Sequence, residues 1–268
     1  MTQLVRPRWR YNVRMDPSPL EDSLQLRWRD AFPVTFNPEE VDLTEYLPPV
    51  FDQGQEGSCT AASGKGVMET LERQAGRPYT PLSAAFLYQA ERTLQGTLYQ
   101  DSGARLRDTE LALTSVGVPP EPDDPYTPAD FVVNFTPAMV ADARAHRIAE
   151  GWWCPTVPEM LSALTAGYPV QIAVLVYQSF ESPYTLQSGQ VVMPGLGEQL
   201  MGGHAMYMHG YRLRETTPII GRGMWRNSWG ENVGIGGNFL APLEYLDHRD
   251  TQAPETFMSA RAYKLAAA

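Results

Sequence analysis

Two cysteines, four histidines and no long apolar run set the first limits on this 268-residue chain. Cys59 and Cys154 permit one disulfide at most, which excludes the disulfide-dense secreted scaffolds and leaves each thiol for chemistry or for packing. His146, His204, His209 and His248 are scattered, and neither they nor the cysteines stand at zinc-ligand spacing, so no metal and no cofactor is expected. No stretch approaches the ~18 apolar residues of a membrane span. The arginine-rich residues 1–11 have no apolar core of signal-peptide length, so the expected setting is the cytoplasm, or export without a conventional signal peptide. Basic residues are also in the minority, 21 against 31 acidic ones, and the net charge of −10 weighs against nucleic acid or an anionic membrane as partner.

What remains has the composition of a folded body. Hydrophobic residues make up 43% of the chain, and its length allows a full core in one large domain or in two lobes sharing a cleft. Residues 1–37 stand apart: they are rich in Pro, Arg and Asp and follow neither helical nor strand periodicity. Trp9, Tyr11, Leu20, Leu24, Leu26, Trp28 and Phe32 have little use in a solvated tail, which favours a segment docked on the body. At the other end, residues 264–268 have the composition of a cloning remnant and are set aside from the fold.

Within the body, Ser58 can cap a helix that continues through Gly64, Val67, Met68, Leu71 and Ala75 until Gly76-Arg77-Pro78 stops it. Gly64 and Gly66 each cost that helix about 1 kcal/mol against alanine, so a close neighbour must need the space. A second helix is predicted to open at Thr80-Pro81, a third to span 107–116 and a fourth 157–165. Six prolines in residues 119–137 mark a surface connection. Strand composition appears at 169–174, 205–212, 218–226, 237–240 and 256–263. Helices early and strands late predict an α+β protein with segregated lobes.

Residues 52–63 read Asp-Gln-Gly-Gln-Glu-Gly-Ser-Cys-Thr-Ala-Ala-Ser. Cys59 stands where a glycine-rich turn gives way to small residues that start a helix, and a helix N-terminus beside an imidazolium favours the nucleophilic thiolate. Cys154, in Gly-Trp-Trp-Cys-Pro, lacks that setting and is read as structural. Downstream, Gly202-Gly203-His204-Ala205 supplies a histidine and Arg226-Asn227-Ser228-Trp229-Gly230 an asparagine. With 205–212 as a strand, His204 and His209 face opposite sides and only one can meet Cys59. His146, His209 and His248 are assigned to hydrogen-bonded core positions. Ser63-Gly64-Lys65-Gly66 lacks the Ser or Thr that a phosphate-binding loop carries after its lysine, and is not read as one.

The order Gln53, Cys59, His204, Asn227, with the tetrapeptide Asn227-Ser228-Trp229-Gly230, resembles the papain-like cysteine peptidases over most of residues 41–263. The resemblance implies a catalytic domain at 38–268 with two lobes. One is helical, mainly 50–145, with a central helix starting at the nucleophile; the other, mainly 146–263, is antiparallel and barrel-like. It implies that His204 takes and returns the thiol proton, that Asn227 holds its ring and that Trp229 shields their hydrogen bond. The Gln53 side-chain amide and the Cys59 backbone N–H are the implied oxyanion donors. Ser102, Gly103 and Ala104, in an Asp-Ser-Gly-Ala run, are the implied substrate-binding residues together with Gly203. The substrate is then a protein or peptide, cleaved through a thioester without metal or cofactor.

The chain also departs from the family. Glu56 stands where a cysteine normally precedes Gly-Ser-Cys, and Thr60 replaces the aromatic residue after the nucleophile. His204 and Asn227 lie 145 and 168 positions after Cys59, which indicates insertions, and Gly203 replaces the usual Asp or Asn. These features suit a bacterial branch without the usual disulfides. Three functions stay open: a peptidase, a thioester-forming amide or acyl transferase, and a catalytically silent peptide-binding protein. Retention of all four polar residues argues against the last. Residues 1–37 are too short and too rich in proline for the family's helical prosegment. They are expected to pack on the body and cover part of the cleft as a short prosegment, with a static brace and a loose tail as the alternatives.

Overall fold

The computed structural model describes residues 9–14, 16, 25–127, 136–247 and 259–267. In chain order the elements are α1 (Trp28–Ala31), β1 (Glu40–Asp42), α2 (Cys59–Gln74), α3 (Ala84–Leu94), α4 (Leu106–Ser115), α5 (Pro137–Ala143), β2 (Ile148–Trp153), α6 (Val157–Thr165), β3 (Val170–Tyr177), α7 (Pro183–Ser188), β4 (Leu200–Thr216), β5 (Ile219–Arg226), β6 (Asn238–Pro242) and β7 (Ser259–Leu265). The strands form an antiparallel sheet in the order β2-β7-β3-β4-β5-β6, with β1 also paired to β4. No described helix is long and apolar enough to cross a membrane.

Two large apolar clusters account for two lobes. One packs Val67, Met68 and Leu71 of α2 against Leu87 and Tyr88 of α3 and Ala112 and Leu113 of α4. The other joins Ile172 and Val174 of β3, Met206 and Met208 of β4, Trp225 of β5 and Leu161 and Leu164 of α6. α2 lies between them, buried almost throughout. Its glycines explain how: a Cβ on Gly64 would come 2.4 Å from Thr109 Cγ2, and one on Gly66 2.6 Å from Tyr207 Cε1. The close neighbours that the sequence required are therefore one residue from each lobe.

The α+β class and the early-helix, late-strand order agree with expectation. Several boundaries differ, for local reasons. α3 begins at Ala84 rather than at Thr80-Pro81, because the Ser83 side chain caps it by accepting from Phe86 N–H while Leu82 bridges Pro120. β4 starts at Leu200, so His204 lies inside a strand rather than ahead of one. β2, whose Gly151 and paired tryptophans hide its alternation, was not expected at all. The exclusion of 264–268 from the fold is corrected for its first residues: Lys264 and Leu265 pair with Glu150 and Ile148, and Ala266 N–H donates to Arg147 O. Leu20, Leu24, His248 and residues 256–258 lie outside the described residues.

The N-terminal extension is docked, in two separate places. Its second part wedges Trp28 into the β lobe, stacked on Phe32 with centroids 4.3 Å apart and edge-on to Trp152 at 5.6 Å, with Nε1 donating to Ser162 Oγ at 3.0 Å. Arg27 holds the buried Glu159 from the same side at 2.8 Å. We expect Trp28→Ala to cost about 3–5 kcal/mol by leaving a cavity. Leu26→Ala, at an exposed side chain, should stay within about 0.5 kcal/mol. Urea melts of both variants check this, and equal midpoints would show that the extension does not brace the lobe.

Candidate active site

The turn before α2 is laced to the loop after β5. Asp52 bridges Trp229 in antiparallel fashion, Gln53 N–H donates to Ser228 O at 2.9 Å and Gly230 N–H to Phe51 O at 3.1 Å. The Gln53 side chain is wholly buried: Oε1 accepts from Ser228 Oγ at 2.5 Å, and Nε2 gives one proton to Glu56 O at 2.8 Å. An amide nitrogen carries two protons, so one is not taken up by Glu56. At the end of this turn Cys59 opens α2, where the free N–H groups of the first helical turn gather.

His204 comes from the sheet. It pairs with Val174 across β3, and Ala205, the next residue, aims its backbone N–H at the Cys59 sulfur. The ring donates from Nε2 to Asn227 Oδ1 at 2.8 Å, and Asn227 Oδ1 is fixed in turn by Ser228 N–H at 2.8 Å. Trp229 stacks on the imidazole with centroids 4.9 Å apart, closing that hydrogen bond off from water. Nδ1 is buried with no hydrogen-bond partner among the described residues. It is the nitrogen left for the thiol. His209, five residues on, is buried elsewhere, with Nδ1 near Thr44 Oγ1 at 3.5 Å, and His146 Nδ1 meets Glu72 at 2.8 Å. Cys154 is buried in the β-lobe cluster among Trp152 and Val157.

The first part of the extension lies across this site. Trp9 stacks face to face on Trp229, centroids 3.9 Å apart, and Tyr11 meets the His204 ring edge-on at 5.8 Å. Asn12 bridges Gly203, Val13 N–H donates to Gly203 O at 3.2 Å and Arg14 N–H to Ala104 O at 2.8 Å. The Val13 side chain packs with Cys59 and Ala205. Gly103 makes the approach possible, for a Cβ there would stand 1.7 Å from Asn12 O. Ser102 lies behind the wall, its hydroxyl bonded to Thr97 Oγ1 at 2.7 Å. Beyond the site, Asp16 anchors the segment to the nearly inaccessible Arg261 at 2.9 Å.

Burial decides the electrostatics. Burial pushes the Cys59 thiol up to about 12 and the His204 imidazole down to about 4. Across the neutral range both are uncharged, which differs from the thiolate–imidazolium pair expected from the helix start alone. Desolvation opposes either charge, and at this depth it prevails over the helix N-terminus.

Several neighbours were not foreseen. Asp101 Oδ1 accepts from Gly57 N–H at 2.9 Å and Tyr88 OH at 2.7 Å, while Oδ2 pairs with Arg10, tying the nucleophile turn to the wall and to the cover. Thr60 is no substitute packing group: its hydroxyl donates to the buried Glu91 at 2.6 Å, whose carboxyl burial raises to about 8. Tyr126, from the proline-rich connection, reaches Ser58 and Gln53. The signal for Asp101 lay in the Asp-Ser-Gly-Ala run; Tyr126 and Glu91 carried none.

Known proteins resemble this chain in sequence and fold. Residues 37–242 match the model of the papain family of cysteine proteases. Xylellain, a cysteine protease from Xylella fastidiosa, superposes over 100% of both chains with a TM-score of 0.81 at 27% identity. An uncharacterized peptidase C1-like protein of Acanthamoeba polyphaga mimivirus is 31% identical over 205 residues, 73% of this chain and 64% of that protein. Cathepsin B-like CP2 of Giardia intestinalis is 28% identical over 79% of this chain and 69% of its own. The chain thus spans about two thirds of the length of these relatives. The match of sequence over most of the folded body, joined to a helix that opens on Cys59 beside a histidine strand, carries one conclusion: the chain belongs to the papain family of cysteine proteases.

Proposed function

We propose that the chain is a peptidase that hydrolyses peptide bonds through Cys59, His204, Asn227 and Gln53. The observation that carries this reading is the His204 ring itself, held by Asn227 through Nε2 with Nδ1 unpartnered, on the strand whose next N–H faces the Cys59 sulfur. In this mechanism His204 Nδ1 takes the thiol proton and the sulfur attacks the carbonyl carbon of the scissile bond. Negative charge gathers on the carbonyl oxygen, where the Cys59 N–H and the free Gln53 Nε2 proton receive it. Collapse breaks the C–N bond as His204 returns the proton to the leaving amine, and a thioester remains. Water, losing a proton to His204, attacks that thioester through a second oxyanion and frees the acid and the thiol. Product profiles with and without added amines separate hydrolysis from transfer to an amine.

The extended main chain of the substrate would lie along Gly203 and the Gly103-Ala104 wall, with the Ser102 side chain behind it. Support comes from residues 12–14, which already bond to Gly203 O and Ala104 O and rely on the missing Cβ of Gly103. Residues 9–14 would therefore act as a short inhibitory prosegment, while residues 25–37 brace the β lobe.

Three outcomes test this function. Cys59→Ala should abolish turnover with the fold intact, whereas Cys154→Ala should keep activity; loss of activity in the second variant alone would reverse the assignment. Gln53→Ala should lower kcat on the order of 10²-fold or more with little change in KM, and Gln55→Ala should be far milder. Steady-state kinetics in which Gln55→Ala proves the more damaging would mean that the donor is misassigned. Trimming residues 1–14 should raise peptidase activity and let Cys59 alkylate near neutral pH, whereas in the intact chain the rate climbs only as pH rises toward the thiol's value of about 12. A trimmed chain no faster than the intact one would leave the segment without an inhibitory role.

A further inference from the structure

The two oxyanion donors stand at opposite ends of one turn. Gln53 offers a side chain and Cys59 a backbone N–H, and between them run Gly54 and Gly57, the latter held through its N–H by Asp101. Side-chain contacts fix Gln53 on the side of Ser228. What sets its distance from the Cys59 N–H is a separate matter, because that N–H belongs to the peptide unit joining Ser58 to Cys59.

Tyr126 spans the two ends. Its phenol oxygen lies 2.9 Å from Gln53 O and 2.6 Å from Ser58 Oγ. A carbonyl and a carboxylate only accept, so the phenol receives the proton of the Ser58 hydroxyl and shares its own single proton between Gln53 O and the Glu56 carboxylate. Gln53 and Ser58 are fully buried. The arm carrying the hydroxyl is itself fixed: the ring stands edge-on to Phe51 with centroids 4.9 Å apart, and Tyr126 N–H donates to Glu121 Oε1 at 2.7 Å. Burial and the neighbouring Glu56 carboxylate keep the phenol protonated far above the neutral range, so the tie persists wherever the enzyme works.

We infer that Tyr126 is a positioning residue for the oxyanion donors, holding the Gln53 main chain and the Ser58–Cys59 peptide at a fixed separation through one hydroxyl. The inference rests on the peptidase reading above. It assigns a task in the reaction to the proline-rich connection between α4 and α5, whose residues 119–124 also bond to the start of α3. Oxyanion stabilisation requires donors already aimed at the developing charge.

The test is Tyr126→Phe in the full-length chain, which keeps the ring against Phe51 and removes only the hydroxyl. We expect kcat for a peptide substrate to fall about 10-fold, less than for outright loss of a donor, with KM within about twofold. Alkylation of Cys59 by iodoacetamide should stay within about twofold of wild type, because displacement of iodide forms no oxyanion. Both reactions need the cover to lift, so the ratio of their rates cancels its contribution. A variant with wild-type kcat, whatever its melting temperature, overturns the inference. So does a variant in which kcat and alkylation fall together, since that marks a general loosening of the site. A wild-type chain whose Cys59 alkylates while no peptide is cleaved would overturn the peptidase reading and this inference with it; normal wild-type turnover with an unaffected variant overturns this inference alone.

Discussion

The start of α2 has to be buried between two lobes, and most of the structure answers that requirement. A helix wrapped in protein on all sides cannot carry ordinary side chains on every face, hence Gly64 beneath Thr109 and Gly66 beneath Tyr207. Its polar groups need partners as well. Gln171 of β3 donates to Thr60 O and Ser63 Oγ, both at 2.8 Å, and accepts from Tyr263 OH, so one β-lobe amide serves the first turn of the helix. Glu91 takes the Thr60 and Thr109 hydroxyls from the helical side. An unpaired polar group at this depth would cost about 1–3 kcal/mol.

Burial on that scale makes rigid placement possible and ionisation difficult at once. The strand that carries His204 and the loop that carries Asn227 belong to the same sheet, and the lacing of 51–53 to 228–230 fastens the helix turn to that loop through main-chain bonds. Geometry of this kind does not depend on which side chains fill the outer surface. Charge separation between Cys59 and His204, by contrast, depends on access of water to the cleft, where both groups are buried and Val13 packs on Cys59.

The sequence displayed the parts of this design that obey local rules. Cys59 after a Gly-Ser pair, the glycines of α2, the Gly-Gly-His run and Asn-Ser-Trp-Gly each have a short-range physical meaning; Cys59 opens its helix as expected, while the Gly-Gly-His run lies inside β4 rather than ahead of it. β2 was missed because Gly151 and two adjacent tryptophans break its alternation, and the start of α3 was drawn too early because Pro81 is as good an opener as Ser83 on sequence alone. The long-range partners were beyond local rules altogether. Nothing near Tyr126 in the chain points to Gln53, 73 residues away, and nothing near Asp16 points to Arg261. Such pairs are products of the fold and become visible only when its two lobes are assembled.

The bonds from residues 12–14 to Gly203 O and Ala104 O are made by main chain to main chain. If substrate uses the same carbonyls, it competes with an opponent that never diffuses away, because Asp16 and Arg261 tether it on the far side. A short flexible tether keeps its passenger at an effective concentration in the millimolar range. The intact chain would then behave as an affinity filter: a peptide present below that level enters only if its side chains bind well enough to make up the difference. Discrimination would come from a competitor built of the same polymer as the substrate, without any narrowing of the pocket.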